Sequence, residues 1–431
     1  MRRVFCHKRT RERCHIYKML QTHAKKRHIS FHTPGHKRGK WDITELSFSD
    51  NLACPHGCIA DAERDIAAIL GANKSFILTD GSTAGVLSIL FAAKTLGVQK
   101  IAVCEKSHKS VFNGCALLGI TPCVFAQREK DGIPLPLAAD DEDFLRIADG
   151  AQAVLLTCPD YYGNIADLPA VKAYCERENK LLLIDGAHGG HLHFDEKLYA
   201  GTYAHLWVDG VHKSLPALTQ GAVVSAKTEQ TAAALAKAVD VFRSTSPSYP
   251  VMASVEYAVK YPQNEELEKK VRLFAAQNER LRIGEDWTKL CALFGQNANA
   301  AHKALEKKGI YAEFCDGNAI VFYLSPATKK AHFKRLEKAL AAMFAKYPYI
   351  PVEQIPAPTL FPVNGETERV RLEDAAGRIC AENCGMFPPC TPLLWTGERI
   401  GEEKIRLLLQ ADNVYGVYEN TITVLKTAKK E

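Results

Sequence analysis

Several features are missing from this 431-residue sequence. It contains no run of eighteen or more apolar residues, so we expect no membrane-spanning helix. The N-terminus is polar and basic with no apolar stretch behind it, which argues against a secretory signal. We find no internal repeat and no low-complexity tract. What remains is a globular chain, 47% hydrophobic, long enough for two packed domains.

Acidic residues are scarce at the start of the chain. Residues 1–40 contain thirteen Lys/Arg and a single acid, Glu12, whereas the remaining 391 residues hold 42 of the 55 bases and 48 of the 49 acids. A basic arm can bind nucleic acid or an acidic surface. This arm has only three aromatic residues among its charges, Phe5, Tyr17 and Phe31, and the body of the protein is not basic. We therefore expect a solvated leader followed by an amphipathic helix, and no nucleic-acid partner.

Cysteine, in contrast, is abundant. The fourteen cysteines are scattered through a long chain, mostly within apolar segments. This distribution is typical of free thiols in a reducing cytosol rather than of a disulfide framework. We therefore expect a cytoplasmic protein.

Zinc-ligand spacing is also lacking. Three histidines lie close together, and Cys54 and Cys58 resemble a ligand pair, but no second cluster has the spacing that zinc requires. The other candidate cysteines occur at irregular intervals. The residues considered as metal ligands are His188, His191, His193, Cys54, Cys58, Cys380, Cys384 and Cys390. We expect no metal site.

From about residue 60 onwards, helical patterns alternate with short apolar segments. Helices are predicted over 61–70, 83–96, 109–118 and 168–179, and strands over 101–104, 122–126, 153–157, 181–185 and 206–212. Short, continuously apolar strands separated by helices favour an α/β domain with a mostly parallel sheet covered on both faces. Ligands then bind at the carboxyl ends of the strands.

The pattern changes after about residue 260. A charged helix is predicted over 264–283, a strand pair within 313–324 and a Lys-rich helix over 328–346, followed by the Pro-rich segment 387–394, which we expect near the active site. We therefore divide the chain into a basic arm and helix (1–45), a large domain (46–260) and a smaller C-terminal α+β domain (261–431).

Lys213 is the strongest candidate for a catalytic residue. It follows an apolar strand in the segment DGVHKSLPALTQGA, residues 209–222. A lysine that forms a Schiff base must be unprotonated part of the time, which requires partial burial or nearby positive charge. Taken alone, the segment would fit an ordinary surface lysine equally well.

Asp185 favours the interpretation of Lys213 as a Schiff-base lysine over that of an ordinary surface lysine. It ends the buried segment LLLID (181–185), at the edge of the sheet where ligands bind. Pyridoxal phosphate acts as an electron sink only while its ring nitrogen is protonated, so its site needs a fixed anion. The small residue Ala187 would let the ring lie flat against the backbone.

Two further segments complete the candidate site. A glycine–hydroxyl turn, LTDGSTAG (78–85), opens a helix, so the helix amides with Ser82 and Thr83 form an anion site for a phosphate. It lacks the lysine of a nucleotide-binding P-loop, and an ordinary helix cap would look the same. His108 follows a strand, where an imidazole could stack on the pyridine face.

Together these segments resemble the bacterial ornithine/lysine/arginine decarboxylases, which are fold-type-I pyridoxal-phosphate enzymes. The resemblance runs from about Ile16 to the C-terminus, without the N-terminal receiver-like domain of the larger members. It is carried by ISFHTPGHKRG (29–39), DNLACPHGCIADAE (50–63), TDGSTAG (79–85), KSHKS (106–110), IDGAHGGH (184–191), VHKSLPALTQ (211–220), STSPSYPVMASVE (244–256) and FPPCTPLL (387–394). It implies an aminotransferase-like large domain and decarboxylation of a basic amino acid to the corresponding amine.

The resemblance also implies a role for each matching residue. Lys213 would carry the cofactor as a Schiff base, and Asp185 would pair with the pyridinium nitrogen. His108 would stack on the ring, and His188 would lie near the cofactor O3′ or the substrate carboxylate. The phosphate would be held by Ser82, Thr83 and His212.

Two more segments are implied to lie at a dimer interface. The stretch around Ser244–Ser246 looks like the one that reaches a neighbouring cofactor, and Ser246 is the candidate within it. The HTPGHK loop (32–37) is similar to one that lines the active-site entrance. We therefore expect a homodimer or higher homo-oligomer with shared active sites.

The sequence departs from the family pattern at three places. Gly210 stands where serine is common, which would remove one phosphate hydrogen bond. Asp160–Tyr161 replaces Thr-Tyr, and Cys390 and Thr391 replace Gly-Ile in the Pro-rich loop. Because that loop shapes the distal pocket, the identity of the substrate stays open among ornithine, lysine and arginine.

Other functions on the same scaffold remain open. A cysteine desulfurase would need a mobile cysteine such as Cys384 or Cys390, and an aminotransferase would need the same lysine and aspartate. A catalytically silent binding protein is the alternative from another class. The HTPGHK and LPALTQ segments favour the decarboxylase.

Overall fold

The computed structural model describes residues 5–426 except 27, 38, 131, 353–362, 364, 387–389 and 412. At its centre is a seven-stranded sheet. The strands are Lys74–Leu78 (β1), Lys100–Cys104 (β2), Thr121–Phe125 (β3), Ala153–Thr157 (β4), Leu181–Gly186 (β5), Leu206–Asp209 (β6) and Ala222–Ala226 (β7). Their order is β1-β7-β6-β5-β4-β2-β3, and only β7 runs antiparallel to its neighbours. The expectation of a mostly parallel sheet is confirmed.

The sequence pattern did not reveal β1 and β7. These strands pair with each other in antiparallel register, with Lys74 opposite Ala226 and Leu78 opposite Ala222. Each carries a buried serine, Ser75 next to Lys74 in KSFIL and Ser225 in AVVSA, which interrupts the continuous apolar pattern of the parallel strands. In the sheet, the hydroxyls of Ser75 and Ser225 lie 2.8 Å apart and satisfy each other. This hydrogen bond between residues distant in sequence therefore offsets the cost of burying the two hydroxyls.

Helices cover both faces of this sheet. Those of the N-terminal and central parts with five or more residues are His15–Lys25 (α1), Cys58–Ile69 (α2), Gly81–Thr95 (α3), Lys109–Leu118 (α4), Glu142–Asp149 (α5), Leu168–Arg177 (α6), Glu229–Phe242 (α7) and Tyr249–Val259 (α8). One buried cluster joins the sheet to α2, α5, α6 and α8, and a second joins its other face to α3, α4 and α7. The continuously apolar strands follow from this two-sided burial.

The N-terminal segment packs onto the body of the protein. Ile16 and Leu20 of α1 are buried, and the carboxylate of Glu256 accepts hydrogen bonds from the first amides of this helix, His15 N (2.6 Å) and Ile16 N (2.9 Å). Phe5 is also buried, among aromatic rings. The expectation of a solvated leader is therefore wrong from Phe5 onwards, because apolar residues in the basic arm fill the core.

The chain after α8 forms a second α+β unit. Helix Glu265–Ala276 (α9) leads into a four-stranded antiparallel sheet, and two helices cover it. Its strands and helices are Leu281–Ile283 (β8), Lys289–Leu293 (β9), Ala298–Glu306 (α10), Phe314–Cys315 (β10), Ala319–Tyr323 (β11) and Lys330–Lys346 (α11). The strand pair and the Lys-rich helix are as predicted. The helix predicted over 264–283 ends at Ala276, because Leu281–Ile283 pairs with β9.

A third small core lies near the C-terminus. Thr367–Arg371 (β12), Val417–Tyr418 (β13) and Thr421–Leu425 (β14) form a three-stranded sheet beside helix Glu402–Gln410 (α12). A two-stranded ladder of Gly385–Met386 and Val414–Tyr415 leads towards the Pro-rich segment. Among the described residues, no helix is long and apolar enough to cross a bilayer.

Candidate active site

A cleft of about 240 Å³ opens at the carboxyl ends of the central strands. It lies where the first turn of α3, the start of α4 and the segments after β5 and β6 converge. All but one of the predicted site residues line it: Ser82, Thr83, His108, Asp185, His188, His212 and Lys213. The fold thus brings together side chains that are up to 131 positions apart in the sequence.

Lys213 lies on a single helical turn. Strand β6 ends at Asp209, and the chain then forms a short helix, Val211–Ser214, so the strand predicted over 206–212 is three residues too long. The Lys213 amide donates to the carbonyl of Gly210 at 3.1 Å. This turn directs the lysine into the cleft instead of onto the solvent face of a strand.

The Lys213 amine is held in a setting that favours its neutral form. Burial lowers the pKa of Lys213, and the carboxylates of Asp185 and Glu313 only partly offset that effect. Its Nζ lies 3.2 Å from Nε2 of His188. Burial lowers the pKa of His188 well below its usual range, and the Lys213 ammonium lowers it further. A neutral imidazole beside this amine can accept a proton from it and return it.

Asp185 supplies the anion of the cleft. It is 2% exposed and lies near the end of β5, where its Oδ1 accepts a hydrogen bond from Ala187 N at 3.1 Å. Burial raises the pKa of Asp185, whereas the Lys213 ammonium and the Ala187 amide act to lower it. A carboxylate in this position favours a positive charge on any group bound against it.

His108 caps helix α4 and is held in one orientation. Its Nδ1 lies 3.1 Å from the amide of Ser110 and 2.8 Å from the hydroxyl of the same residue. Burial lowers the pKa of His108 to about 4, with a further contribution from Lys213. The ring is therefore mainly neutral at physiological pH.

The predicted phosphate site lies at the start of α3. The hydroxyl of Ser82 is buried and has no hydrogen-bond partner among the described residues. Thr83 lines the same cleft, and Nδ1 of His212 lies 2.9 Å from the carbonyl of Gly221, which fixes that ring. A buried hydroxyl without a partner is costly in a native protein, so it indicates that a ligand atom belongs beside it.

Gly210 is explained by its packing. A Cβ at this position would lie 2.2 Å from the carbonyl oxygen of Ala187 and 2.7 Å from the hydroxyl of Ser82. The first contact is with backbone, which cannot move aside as a side-chain tip could. Serine, which is common at this position in the family that the sequence resembles, would not fit this backbone. The protein therefore has no side chain here to donate a hydrogen bond to the phosphate.

Ser246 is the predicted site residue that does not line the cleft. It is exposed, and its amide donates to the Ser244 hydroxyl at 3.1 Å. The Ser244 amide in turn donates to Asp80, whose carboxylate borders the cleft. The HTPGHK loop is also separate, since it lines a different basic surface pocket.

Two of the departures from the family pattern lie close to the cleft. Asp160 is buried and caps its own turn by accepting hydrogen bonds from Tyr162 N and Asn164 N, and burial raises its pKa to about 6. Cys390 is buried beside the cleft, and its carbonyl accepts a hydrogen bond from Lys109 N at 3.0 Å. Of the Pro-rich segment, Cys390 thus lies on the active-site side; residues 387–389 lie outside the described residues.

The histidines considered as metal ligands do not converge. His191 Nε2 lies 2.8 Å from Asp286, and Nδ1 of His193 faces the carbonyl of Gly190 at 2.7 Å. Within the described residues, the group with metal-ligand geometry is His15, Asp65 and Glu256. The ammonium of Lys260 lies 2.6 Å from Asp65 and 2.8 Å from Glu256, so a lysine already supplies the positive charge there.

Sequence reasoning missed three residues near Lys213. Glu313 and Lys289 come from the second α+β unit, and each affects the pKa of Lys213 electrostatically. Tyr161 lines the cleft, and its ring packs edge-on against His188 at 5.0 Å. No local signal marks the first two, because their proximity depends on how that unit packs against the central sheet.

The sheet order, its single reversed strand and the half-buried Lys213 at the carboxyl edge define an α/β enzyme of the fold-type-I class. A family model described as Orn/Lys/Arg decarboxylase, major domain, matches residues 40–288, and one described as Orn/Lys/Arg decarboxylase, C-terminal domain, matches residues 337–415. The chain therefore belongs to the Orn/Lys/Arg decarboxylase family. The predicted resemblance and fold class are both confirmed.

Individual relatives match over nearly the whole chain. An arginine decarboxylase of Halalkalibacterium halodurans is 26% identical, covering 97% of this chain and 98% of the relative. The protein YaaO of Bacillus subtilis is 28% identical over 91% of this chain and 93% of its own. In structure, lysine decarboxylase A from Pseudomonas aeruginosa superposes with a TM-score of 0.76 at 16% identity, covering 96% of this chain and 80% of that one.

Proposed function

We propose that this protein decarboxylates a basic amino acid (ornithine, lysine or arginine) with pyridoxal phosphate bound covalently to Lys213. The observation that carries the proposal is that one cleft holds the half-buried amine of Lys213 together with the buried carboxylate of Asp185. Membership of the Orn/Lys/Arg decarboxylase family supports the reaction.

The residues of the cleft fit this cofactor. The unpartnered hydroxyl of Ser82, with Thr83 and His212, would hold the phosphate. Asp185 would face the ring nitrogen, and the neutral His108 would lie against the ring. When bound, pyridoxal phosphate supplies an electron sink for the bond that breaks as carbon dioxide leaves.

The protein's own groups manage the proton that replaces carbon dioxide at Cα. Lys213 Nζ and His188 Nε2 are 3.2 Å apart, so a proton can pass between them. Burial lowers the pKa of both groups, which favours the neutral form of each. Either can be the final donor.

Glu313 supports a basic substrate. It is an exposed carboxylate that acts electrostatically on the Lys213 amine from outside the lining of the cleft. It precedes β10 in the β10–β11 hairpin, where its amide donates to Val321 O at 2.9 Å. Tyr323 of the same hairpin donates its hydroxyl to the carbonyl of Tyr161 at 3.0 Å, which holds the hairpin over the cleft. We assign Glu313 as the partner of the substrate's distal cation.

A shared dimer site is part of the proposal. Ser246 and the HTPGHK loop do not reach the cleft of their own chain. Ile29 and Phe31, beside that loop, are 85% and 92% exposed, which is unfavourable unless another surface covers them. Both segments would complete the cleft of a second copy.

All fourteen cysteines are free thiols, which supports a reducing, cytoplasmic setting.

A cysteine desulfurase is less consistent with the thiols. Burial raises the pKa of Cys390, although Lys109 and Lys213 act to lower it, so the thiol is mainly protonated and a weak nucleophile. Cys384 is fully buried and donates to the Glu382 carbonyl at 3.2 Å. Neither has the exposure and mobility that a desulfurase nucleophile needs.

The direct experiment incubates the full-length protein and pyridoxal phosphate with ornithine, lysine and arginine separately. The proposal predicts equal amounts of carbon dioxide and the matching amine from at least one of them. Sulfide release from cysteine, or no carbon dioxide from any of the three, would contradict it.

A further inference from the structure

A buried ion network lies directly behind His188. It is formed by Asp286 and Lys289, at the start of β9 in the second α+β unit, and both are at most 1% exposed. Their side chains are 2.7 Å apart. This network lies outside the cleft but contacts the backbone of a residue that lines it.

The ammonium of Lys289 is fully engaged. It donates to the carbonyl oxygen of His188 at 2.8 Å and to the hydroxyl of Thr288 at 2.9 Å, in addition to its contact with Asp286. It also lies 5.0 Å from the centre of the Tyr323 ring. Two hydrogen bonds and one close ionic contact thus hold the ammonium in one position.

Asp286 is anchored equally firmly. Its Oδ1 accepts hydrogen bonds from the amide of Thr288 at 2.9 Å and from its hydroxyl at 2.7 Å, and lies 2.8 Å from His191 Nε2. Burial acts to raise the pKa of Asp286, but His191 and Lys289 outweigh it and hold that pKa well below the usual range. Asp286 is therefore ionised, and the buried Lys289 charge is compensated.

His188 depends on this tether. Its Nδ1 is buried without a hydrogen-bond partner among the described residues, and its ring packs edge-on between Tyr161 at 5.0 Å and Tyr323 at 5.3 Å. Ring packing limits where the imidazole lies but supplies no directional bond. The bond from Lys289 to the His188 carbonyl fixes the backbone from which the ring projects towards Lys213.

We propose that Lys289 is a positioning residue, which fixes the backbone of His188 so that its imidazole meets the Lys213 amine and places a buried positive charge near that amine. The inference rests on the proposed role of Lys213 as the cofactor-bearing lysine. Buried pairs can often be replaced by apolar residues without loss of stability. If this pair served folding alone, its replacement would leave the protonation of Lys213 unchanged.

The effect on Lys213 can be measured directly, because Lys289 acts to lower the pKa of Lys213. Other groups also influence or face this amine, so variants must leave them unchanged. They are His108 from α4, Asp185 from β5, His188 after it, Glu313 from the β10–β11 hairpin and Cys390 from the Pro-rich segment.

The test measures the pH midpoint at which Lys213 reacts with acetic anhydride in the full-length protein freed of cofactor, read by peptide mass spectrometry. Lys289→Met should raise this midpoint by about one pH unit, because a nearby positive charge is lost. Lys180→Met is the matched control. Lys180 is also buried, but it donates to the carbonyls of Asp149 and Ala151 at the opposite edge of the sheet.

A second variant separates positioning from folding. Lys289→Met alone leaves Asp286 buried and uncompensated, which destabilises the fold, whereas the double variant Asp286→Asn/Lys289→Met removes both charges. The double variant should unfold cooperatively near the wild-type temperature and show a smaller rise of the midpoint, because it loses the opposite charge of Asp286 together with that of Lys289. A wild-type midpoint in the folded double variant would overturn the inference. Failure of the proposed function would be seen separately, as no carbon dioxide from the wild-type enzyme.

Discussion

The amine of Lys213 lies 3.2 Å from Nε2 of His188 at the carboxyl edge of the central sheet. Burial lowers the pKa of both groups, so near neutral pH the pair shares fewer protons than two such side chains would hold in water. A neutral amine is the form that reacts with an aldehyde, and a neutral imidazole is the form that accepts a proton from it. The predictions below follow from this arrangement.

Replacing Lys213 should abolish activity. Lys213→Ala removes the amine that attaches the cofactor, so decarboxylation should fall by at least about a thousandfold. The visible absorption band of the holoenzyme should disappear in parallel. Lys180→Ala, at the opposite edge of the sheet, should keep both. A variant at position 213 with wild-type turnover would show that another lysine carries the cofactor.

Asp185 should matter more for turnover than for cofactor retention. Asp185→Asn keeps the size of the side chain but removes its negative charge, so turnover should fall roughly a hundredfold or more. Asp209→Asn is the control, since Asp209 is equally buried at the end of the neighbouring strand but bonded to Tyr199 and Trp207. Comparing kcat with the cofactor dissociation constant checks this; equal losses in both would contradict the assigned role.

Glu313 should strengthen binding of the substrate through its distal cation. In Glu313→Gln the charge is lost and the shape kept, so KM for the preferred basic amino acid should rise about tenfold, with a smaller change in kcat. Glu306→Gln, an exposed glutamate on α10, is the control and should behave as wild type. An unchanged KM in Glu313→Gln would remove this residue from substrate recognition.

Asp209 should make stability depend on pH. Burial raises its pKa from 3.8 to about 7. A raised carboxyl pKa means that the folded state holds the proton more tightly, so the stabilising contribution is complete below about pH 4 and is lost as the pH rises towards 7. The free energy of unfolding should fall by on the order of 2–4 kcal/mol across this window relative to Asp209→Asn. Urea unfolding at several pH values measures the difference, and parallel curves for the two proteins would refute it.

The sequence predicted those parts of the site that depend on local chemistry. Asp185 and Lys213 each follow a continuously apolar strand, and the carboxyl ends of parallel strands meet at one edge, so their convergence in one cleft could be predicted. The hydroxyls at the start of α3 could be recognised for the same reason. These residues occupy the cleft as expected.

The parts that depend on tertiary packing could not be predicted. Glu313 and Lys289 influence Lys213 only because the second α+β unit packs over the cleft. From the sequence, Phe5 is predicted to lie in a solvated arm, but in the structure it packs against three aromatic rings. From the sequence, Gly210 is expected only to remove a hydrogen bond to the phosphate. The structure shows that the Ala187 backbone approaches so closely that no side chain fits at this position.

The most direct test of the account reduces the holoenzyme with borohydride and maps the modified peptide by mass spectrometry. The account predicts a pyridoxyl group on Lys213, in the peptide that contains HKSLPALTQ. A pyridoxyl group on any other lysine, or cofactor-saturated protein with Lys213 unmodified, would contradict it.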